Sequence, residues 1–306
     1  MDFNTITVRE FAERYLKEIE PKIRNNTYRH KEQILRNHVI PILGDYKMSE
    51  VTPAVIIEWQ NRKLTEMDED GKYYKSGYLW TMNKDLNAMF NYAERVYDLT
   101  PNPVHKVKKM GSETDGITNF WTLEEYMKFR DLIRPTQYFE MFEILYWGGL
   151  RAGEMLSLTR SDFNLNNGDV SVTKSIQRYK GEDEITGPKT RSSVRTVRMP
   201  EFMIDEMKYY FDRHRTIRDG ERVFPVTLEA IERNCHKYAA LADIPDIRVH
   251  DLRHSHVSLL ASQGFKLFEI SKRVGHESEY MTYRYAHLFD EKQQEMVDAL
   301  SKLGKD

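Results

Sequence analysis

The stretch from His250 to His287 concentrates side chains that can act on a phosphate group. Within 38 residues it holds five of the ten histidines in the chain. Two of its arginines, Arg253 and Arg284, could bind an anion, and its tyrosines are Tyr280, Tyr283 and Tyr285. Arginine binds phosphate oxygens with paired hydrogen bonds, and a tyrosine hydroxyl can attack phosphorus. The composition of this stretch therefore indicates phosphate chemistry.

Two upstream positions can contribute to the same chemistry. Arg151 follows Gly148-Gly149, where tightly turned backbone exposes amides and favours anion binding. A buried ion pair between Arg151 and Glu154 is the structural alternative, and the two roles are compatible because Glu154 can hold Arg151 in place. Lys189 stands near a predicted turn, where a lysine is usually only a polar loop residue.

The residues alone leave three interpretations of the His250–His287 stretch open. His250, His254 and His256 could bind a metal, but His250 and His256 fall on different faces of a helix and lack a clear supporting carboxylate set. The histidines and tyrosines could simply pack a helical core. Metal-free phosphoryl transfer needs charge neutralisation, an activated nucleophile and a protonated leaving group, and the sequence contains residues that can supply all three.

Length and composition limit the classes of protein to which this chain can belong. A length of 306 residues favours about two domains. The single cysteine, Cys235, excludes an internal disulfide, and we find neither a long apolar run nor a signal-peptide pattern at the start. We expect a soluble protein of a reducing cytosol, without a membrane partner. The net charge of −2 does not point to nucleic acid, so DNA contacts would have to be local.

Apolar periodicity predicts an all-α first domain. Helices are expected over about 7–20, 27–39, after Thr52-Pro53, and over 78–97, the first opened by a Thr7–Glu10 capping box. The proline-rich and basic stretch 99–116 contains the predicted boundary. We assign residues 1–110 to a helical domain, 111–118 to a linker and 119–306 to a second domain.

The second domain is predicted to be mixed. A Thr122–Glu125 capping box opens a helix, and further helices are expected at about 200–215, 227–242 and from His250 to Gly264, with Val257, Leu259 and Leu260 buried. DVSVTKSIQ and SSVRTVRMP alternate at strand spacing, separated by YKGEDEITGPKTRS as a connector. The predicted fold class is therefore mainly α with a small antiparallel β-sheet.

Basic residues of the first domain lie near predicted helix ends and connectors. They can be an ordinary solvated surface or a set of phosphate contacts that position DNA without reading its sequence. The DNA-binding candidates are Lys22, Arg24, Arg29, Lys31, Arg36, Lys106, Lys108 and Lys109.

The motifs GGLRAGE, GPKTRSSVRTVRMP, HDLRHSH, VGH and YAHL together resemble the tyrosine recombinases of the phage integrase family, in content and order. Within the family, the sequence is most similar to integrases from temperate phages and conjugative transposons of Gram-positive bacteria. Residues 1–110 resemble the helical core-binding domain of that family. The family pattern maps onto Arg151, Lys189, His250, Arg253, His276 and Tyr285. Tyr285 stands nine residues after His276 in a Tyr-x-His-Leu context, which selects it over Tyr280 and Tyr283.

The resemblance implies a site-specific recombinase that cleaves DNA through a 3′-phosphotyrosine. Arg151, Arg253 and His276 would bind the scissile phosphate, and Tyr285 would attack it. His250 would assist removal of the proton from the tyrosine. Lys189 would protonate the leaving oxygen and Glu154 would support Arg151. Neither a metal nor another cofactor is implied.

The expected partner is double-stranded DNA carrying core attachment sites, bound by a chain that is monomeric when free and tetrameric on synapsed DNA. An excisionase or host DNA-bending factors would set direction in the bacterial cytoplasm. The alternatives are a metal-dependent phosphohydrolase and a catalytically silent DNA-binding protein of the same fold. Such integrases often carry an N-terminal arm-binding module, whereas this sequence begins at the core-binding domain. The amphipathic tail around Met296–Leu303 could fold back on its own domain or dock on a neighbouring protomer, and the resemblance favours the neighbouring protomer.

Overall fold

The structure is a computed structural model that describes residues 1–112, 119–179, 181–187 and 194–275. The chain divides into two compact units, Met1–Gly116 and Ile117–Asp306. Each unit contains its own cluster of buried apolar side chains. None of the helices described here has both the length and the apolar composition that a membrane crossing requires.

The first unit is helical. Its α-helices are α1 (Val8–Ile19), α2 (Asn25–Ile34), α3 (Ile40–Leu43), α4 (Pro53–Thr65) and α5 (Ser76–Tyr97). Short 3₁₀ turns cover Glu20–Lys22, Met48–Glu50 and Pro103–Lys106. The predicted capping box is present, because the Thr7 hydroxyl accepts from the Glu10 amide while the Glu10 carboxylate accepts from the Thr7 amide.

The prediction for the second helix, over about 27–39, is wrong at its C-terminal end. We expected it to stop before Pro41, but α2 continues through a π turn at Leu35–Val39 into α3, which contains Pro41 in its first turn. A proline is tolerated there because the first amides of a helix have no partner within it. Burial of Leu35, Val39 and Leu43 against the core keeps the segment helical.

The second unit combines seven α-helices with five short strands among its described residues. The helices are α6 (Leu123–Ile133), α7 (Phe139–Gly148), α8 (Ala152–Leu156), α9 (Glu201–Arg213), α10 (Leu228–Leu241), α11 (Asp251–Ser262) and α12 (Leu267–Val274), with a 3₁₀ turn at Arg160–Asp162. The strands are β1 (Phe163–Asn164), β2 (Asp169–Val172), β3 (Ser175–Tyr179), β4 (Glu182–Thr186) and β5 (Arg195–Arg198). The predicted fold class, mainly α with small antiparallel sheet structure, is confirmed.

The strand prediction needs two corrections. DVSVTKSIQ forms two strands in different sheets, because β2 pairs with β1 and β5 while β3 pairs with β4. The expected connector contains β4, whose side chains are mostly exposed. A strand with both faces in water shows no apolar alternation, so periodicity cannot reveal it. Asp183 of β4 is instead held by Arg222, whose guanidinium lies 2.6 Å from the carboxylate.

Helices α7 and α11 pack against each other next to the motifs GGLRAGE and HDLRHSH, the first beginning at the end of α7 and the second at the start of α11. Trp121 ties the start of this unit to α11, since its amide donates to the Ser255 hydroxyl at 2.9 Å. Val257 is fully buried as predicted, whereas Leu259 and Leu260 are only half-buried, which corrects the expectation for those two. The helix ends before Gly264, which adopts a positive φ of 85°.

Candidate active site

Arg151 is placed by a sharp break between two helices. The apolar helix α7 ends at Gly148, and Gly149 takes a left-handed conformation with a φ of 63°. Arg151 then caps α8, with its backbone amide donating to the Glu154 carboxylate at 2.9 Å. Its guanidinium donates to the other oxygen of Glu154 at 2.7 Å, and its side chain remains 34% exposed. The ion pair and an exposed cation therefore coexist at this position.

Glu154 is shared by two arginines. Besides Arg151, it accepts two hydrogen bonds from the guanidinium of Arg195, at 3.1 and 2.9 Å. Burial would raise the pKa of this carboxyl, but the hydrogen bonds and charges of Arg195 and Arg151 outweigh burial and lower the pKa to about 2. Glu154 is therefore ionised at neutral pH and fixes the orientation of Arg151.

Arg253 reaches the same loop from helix α11. Its guanidinium is 2% exposed and donates to the backbone carbonyl of Gly149 at 2.8 Å and to that of Val274 at 2.5 Å. The two carbonyls accept from different terminal nitrogens and so orient the planar guanidinium. The loop 149–151 thus joins the two arginines that the sequence motifs single out, although they are 102 positions apart in the chain.

His250 stands immediately before α11, one helical turn from Arg253. Its ring lies edge-on to that of His254, with the ring centroids 5.2 Å apart. The pKa of His250 is lowered, first by burial and then by the positive charge of Arg253, with a further contribution from Arg151. Its imidazole is therefore neutral at neutral pH and can accept a proton. Because the charges of Arg253 and Arg151 both lower the pKa of His250, the three side chains lie within electrostatic range of one another.

His256 has a structural role, as expected from its position. Its Nδ1 donates to the Tyr146 carbonyl at 2.8 Å, and its Nε2 accepts from the Arg273 Nε at 3.0 Å. Burial, followed by the charge of Arg273, lowers its pKa to about 3. Because both ring nitrogens are occupied, His256 cannot act as a metal ligand without breaking the contact between α7 and α12. His254, whose pKa falls to about 4 mainly through burial, is likewise neutral.

Gly149 is required at its position for two reasons. Its φ is positive, and a Cβ added there would overlap the imidazole of His256. We expect Gly149→Ala to lower the free energy of unfolding by about 1–3 kcal/mol more than Gly220→Ala. Gly220 is the matched control, because it has a φ of 90° but no atom within 4 Å of an added Cβ. Urea unfolding of both variants measures the difference; equal losses would show that the His256 contact is unimportant.

Sequence reasoning missed two residues that support the described part of the site, namely Arg195 and Arg273. Arg195 precedes buried Val197 by two positions on β5, so both side chains face the interior. An arginine at an inward-facing position of an alternating strand was the available signal. Arg273 donates from its side chain to His256 and to the carbonyls of Trp147 and Arg198.

Three predicted site residues, Lys189, His276 and Tyr285, lie outside the described residues. The same holds for Tyr280, Tyr283, Arg284, His287 and the tail around Met296–Leu303. Helix α12 ends at Gly275, the residue before His276 in the sequence, in a left-handed conformation with a φ of 68°. The structure therefore brings together Arg151, Glu154, His250 and Arg253 among the predicted site residues.

The DNA-binding candidates of the first unit differ in their surroundings. Lys31 is largely buried and lies 2.5 Å from the carboxylate of Asp85, while Arg36 pairs with Glu13 at 2.8 Å and Glu32 at 3.2 Å. A phosphate would have to compete with these carboxylates, and the role of Lys31 and Arg36 in DNA binding stays a prediction. The remaining candidates are exposed, namely Lys22, Arg24, Arg29, Lys106, Lys108 and Lys109.

The basic segment 106–109 is held against the first unit. The Lys108 carbonyl accepts from the Gln60 side chain at 2.9 Å, and the Met110 amide donates to Asn83 at 3.3 Å. Gln60 and Asn83 are themselves buried and hydrogen-bonded to each other at 2.6 Å. The backbone of this segment therefore has a defined place, with its lysines turned to solvent.

Each of the two units matches the model of a known protein family. A model described as "Phage integrase family" matches residues 123–292, and one described as "Phage integrase, N-terminal SAM-like domain" matches residues 7–64. The chain is 28% identical to the ICEBs1 integrase of Bacillus subtilis, over 94% of this chain and 81% of the relative. It is 24% identical to the integrase of Mycobacterium phage L5, over 99% and 81%.

Solved structures share the fold. The Tn1549 transposon integrase in complex with transposon right end DNA superposes with a TM-score of 0.77 at 22% identity, covering 92% of this chain and 94% of that one. A lambda integrase tetramer bound to a Holliday junction gives a TM-score of 0.67 at 17% identity, covering 92% and 78%.

Proposed function

Because this chain belongs to the phage integrase family and is a tyrosine site-specific recombinase, we propose that Tyr285 cleaves DNA through a 3′-phosphotyrosine during integration and excision of a mobile element. One observation carries the proposal for the site: the loop 149–151 joins Arg151 and Arg253, with a neutral His250 beside them. Two fixed cations and a proton acceptor are what a transferred phosphoryl group requires from a protein.

The two arginines bind the scissile phosphate in this proposal. Glu154 orients the guanidinium of Arg151, and the carbonyls of Gly149 and Val274 orient that of Arg253. Since their partners hold them before DNA arrives, little reorganisation is needed when negative charge develops on the phosphate oxygens. Arginine also remains charged at every physiological pH. His276, by its place in the motif, adds a hydrogen bond to the same phosphate.

The chemical step is a transesterification. The Tyr285 oxygen forms a bond to phosphorus as the bond from phosphorus to the 5′-oxygen breaks, which leaves a 3′-phosphotyrosine and a free 5′-hydroxyl. His250 accepts the tyrosine proton, since its lowered pKa keeps the imidazole neutral and its lone pair available at neutral pH. Lys189 gives a proton to the leaving oxygen. The ester keeps the bond energy, so rejoining needs neither ATP nor a metal ion.

Assembly on DNA completes the proposal. Relatives have been solved with DNA, as the Tn1549 integrase was, and as a dimer on a core site or a tetramer on a Holliday junction, as lambda integrase was. We propose that this chain is monomeric when free and forms a homotetramer on two synapsed core sites. The helical unit 1–110 would bind DNA through its exposed basic residues. An excisionase or host DNA-bending factors would set the direction of the reaction in the bacterial cytoplasm.

A nicked suicide duplex carrying the attachment core tests the function, because loss of the short nicked fragment prevents religation. We expect the wild-type protein to form a covalent adduct, visible on a denaturing gel, with EDTA present throughout. Loss of cleavage in EDTA would instead favour the metal-dependent phosphohydrolase. A mobility shift without any adduct would favour the catalytically silent DNA-binding protein.

A further inference from the structure

Arg195 occupies the centre of a buried network in the second unit. Its side chain is 6% exposed, and its two terminal nitrogens donate to both carboxylate oxygens of Glu154. Its Nε donates to the carbonyl of Arg273 at 3.0 Å. One guanidinium on strand β5 therefore binds the N-terminal turn of α8 and the C-terminal end of α12.

Both of those segments hold an arginine of the candidate active site. The Glu154 carboxylate accepts hydrogen bonds from both the backbone amide and the guanidinium of Arg151. The residue after Arg273, Val274, offers the carbonyl that accepts from Arg253. Displacement of Arg195 would therefore remove support from both Arg151 and Arg253. Arg195 acts on them through the Glu154 carboxylate and the Arg273 carbonyl.

We propose that Arg195 is a positioning residue for DNA cleavage, which holds Arg151 through Glu154 and holds Arg253 through the backbone at the end of α12. The inference rests on the proposed function, since it assigns Arg195 to the phosphate-binding arginines of that reaction. It adds a residue outside the six motif positions, on the strand that follows the Lys189 segment in the sequence.

The environment of Arg195 supports a role beyond packing. Arg195 and Arg273 are neighbouring cations in the interior, and the pKa of Arg273 is lowered by burial and then by the charge of Arg195. Placing two guanidiniums together away from water is unfavourable, and an apolar side chain on β5 would avoid it. A planar fork that serves two carboxylate oxygens and a carbonyl at once is available only from arginine, because lysine carries a single nitrogen.

The charge of Arg195 also keeps Glu154 ionised. The charged groups that act most strongly on Glu154 are Arg195 from β5 and Arg151 from the start of its own helix, while Arg273 of α12 lies beyond Arg195. Burial raises the pKa of this carboxyl, so loss of Arg195 leaves Arg151 alone to oppose burial. The folded-state pKa then rises, and protonation of Glu154 on acidification would release the Arg151 side chain.

The experiment compares Arg195→Gln, Arg195→Lys and the double variant Arg195→Gln with Glu154→Gln. Single-turnover adduct formation on the nicked duplex is followed from pH 5 to 9, together with binding to the uncut duplex and thermal unfolding. Arg198→Gln is the matched control, because Arg198 lies on the same strand with its side chain 70% exposed.

We expect Arg195→Gln to slow cleavage by about 100-fold at pH 8 without a matching loss of DNA binding, since small misplacement of catalytic groups has effects of this size. The rate of Arg195→Gln should also fall more steeply toward pH 5 than that of the wild type, whose Glu154 has a pKa of about 2 and stays ionised over the whole range. The double variant should lack this extra fall. Arg195→Lys, which keeps the charge but loses the forked hydrogen bonds, should cleave slowly but show the wild-type pH dependence. Arg198→Gln should cleave normally.

The inference is overturned if Arg195→Lys cleaves as fast as the wild type, or if Arg195→Gln is slow only in proportion to unfolding and keeps the wild-type pH profile. Failure of the proposed function would look different. In that case the wild-type protein itself would form no covalent adduct, whereas failure of this inference leaves the wild-type adduct in place.

Discussion

Replacing Tyr285 with phenylalanine is expected to abolish the covalent protein–DNA adduct and to leave DNA binding unchanged. The tyrosine oxygen is the atom that bonds to phosphorus, and phenylalanine lacks it. Loss of a nucleophile of this kind lowers the rate on the order of 10⁴-fold or more. The ring of phenylalanine retains nearly the same volume, so an effect on folding should be small.

Adduct formation on the nicked duplex measures this effect, and the neighbouring tyrosines are the matched controls. Tyr280→Phe and Tyr283→Phe should both form the adduct at close to the wild-type rate. The assignment would be wrong if the adduct persisted in Tyr285→Phe and disappeared in one of the other two variants. In that event the nucleophile would be Tyr280 or Tyr283, and the nine-residue spacing from His276 would not be decisive.

Removal of either phosphate-binding arginine is expected to slow cleavage by about 100-fold or more. A preorganised donor aimed at developing negative charge contributes on the order of 3 kcal/mol to the lowering of a reaction barrier. Arg151→Gln is the cleaner variant, because Arg151 is partly exposed and Glu154 keeps Arg195 as a partner. Arg253→Gln combines the same loss with a structural one, since the carbonyls of Gly149 and Val274 lose a buried donor.

Single-turnover cleavage, measured beside thermal unfolding, separates these contributions. Arg253→Gln should be destabilised more than Arg151→Gln, and both should cleave slowly where they are folded. Arg215→Gln is the control, because the Arg215 side chain is 79% exposed. An Arg151→Gln variant that cleaved within about 3-fold of the wild type would contradict the role of Arg151, given the magnitude expected for such a donor. The two losses should not add in the double variant if both arginines act on one phosphate.

Much of the local structure was readable in the sequence because its causes are local. The Thr7–Glu10 and Thr122–Glu125 capping boxes are present, and α7 ends at the Gly148-Gly149 pair that the sequence marks as a tight turn. Caps and left-handed glycines depend on residues within one or two turns, so sequence spacing is sufficient to predict them. The order of the five motifs likewise indicated the family and the identity of the site residues.

Where local signals conflicted or were absent, the sequence was misleading. Pro41 predicted a helix end, yet a π turn carries the chain past it into α3. The acidic strand β4 has no apolar face and could not be recognised by alternation. The ion pairs of Lys31 with Asp85 and of Arg36 with Glu13 join residues far apart in the chain and could not be predicted from spacing.

The tertiary structure decided how the site is supported. It brings Arg253 to the Gly149 carbonyl and Arg195 to Glu154, contacts between residues 104 and 41 positions apart. Such pairs leave no periodic trace, because each partner satisfies its own helix or strand pattern independently. The sequence by itself determined which residues could bind and attack a phosphate. Only the packing of α7, α8, α11, α12 and β5 determined which of them share one network, because that follows from the whole core.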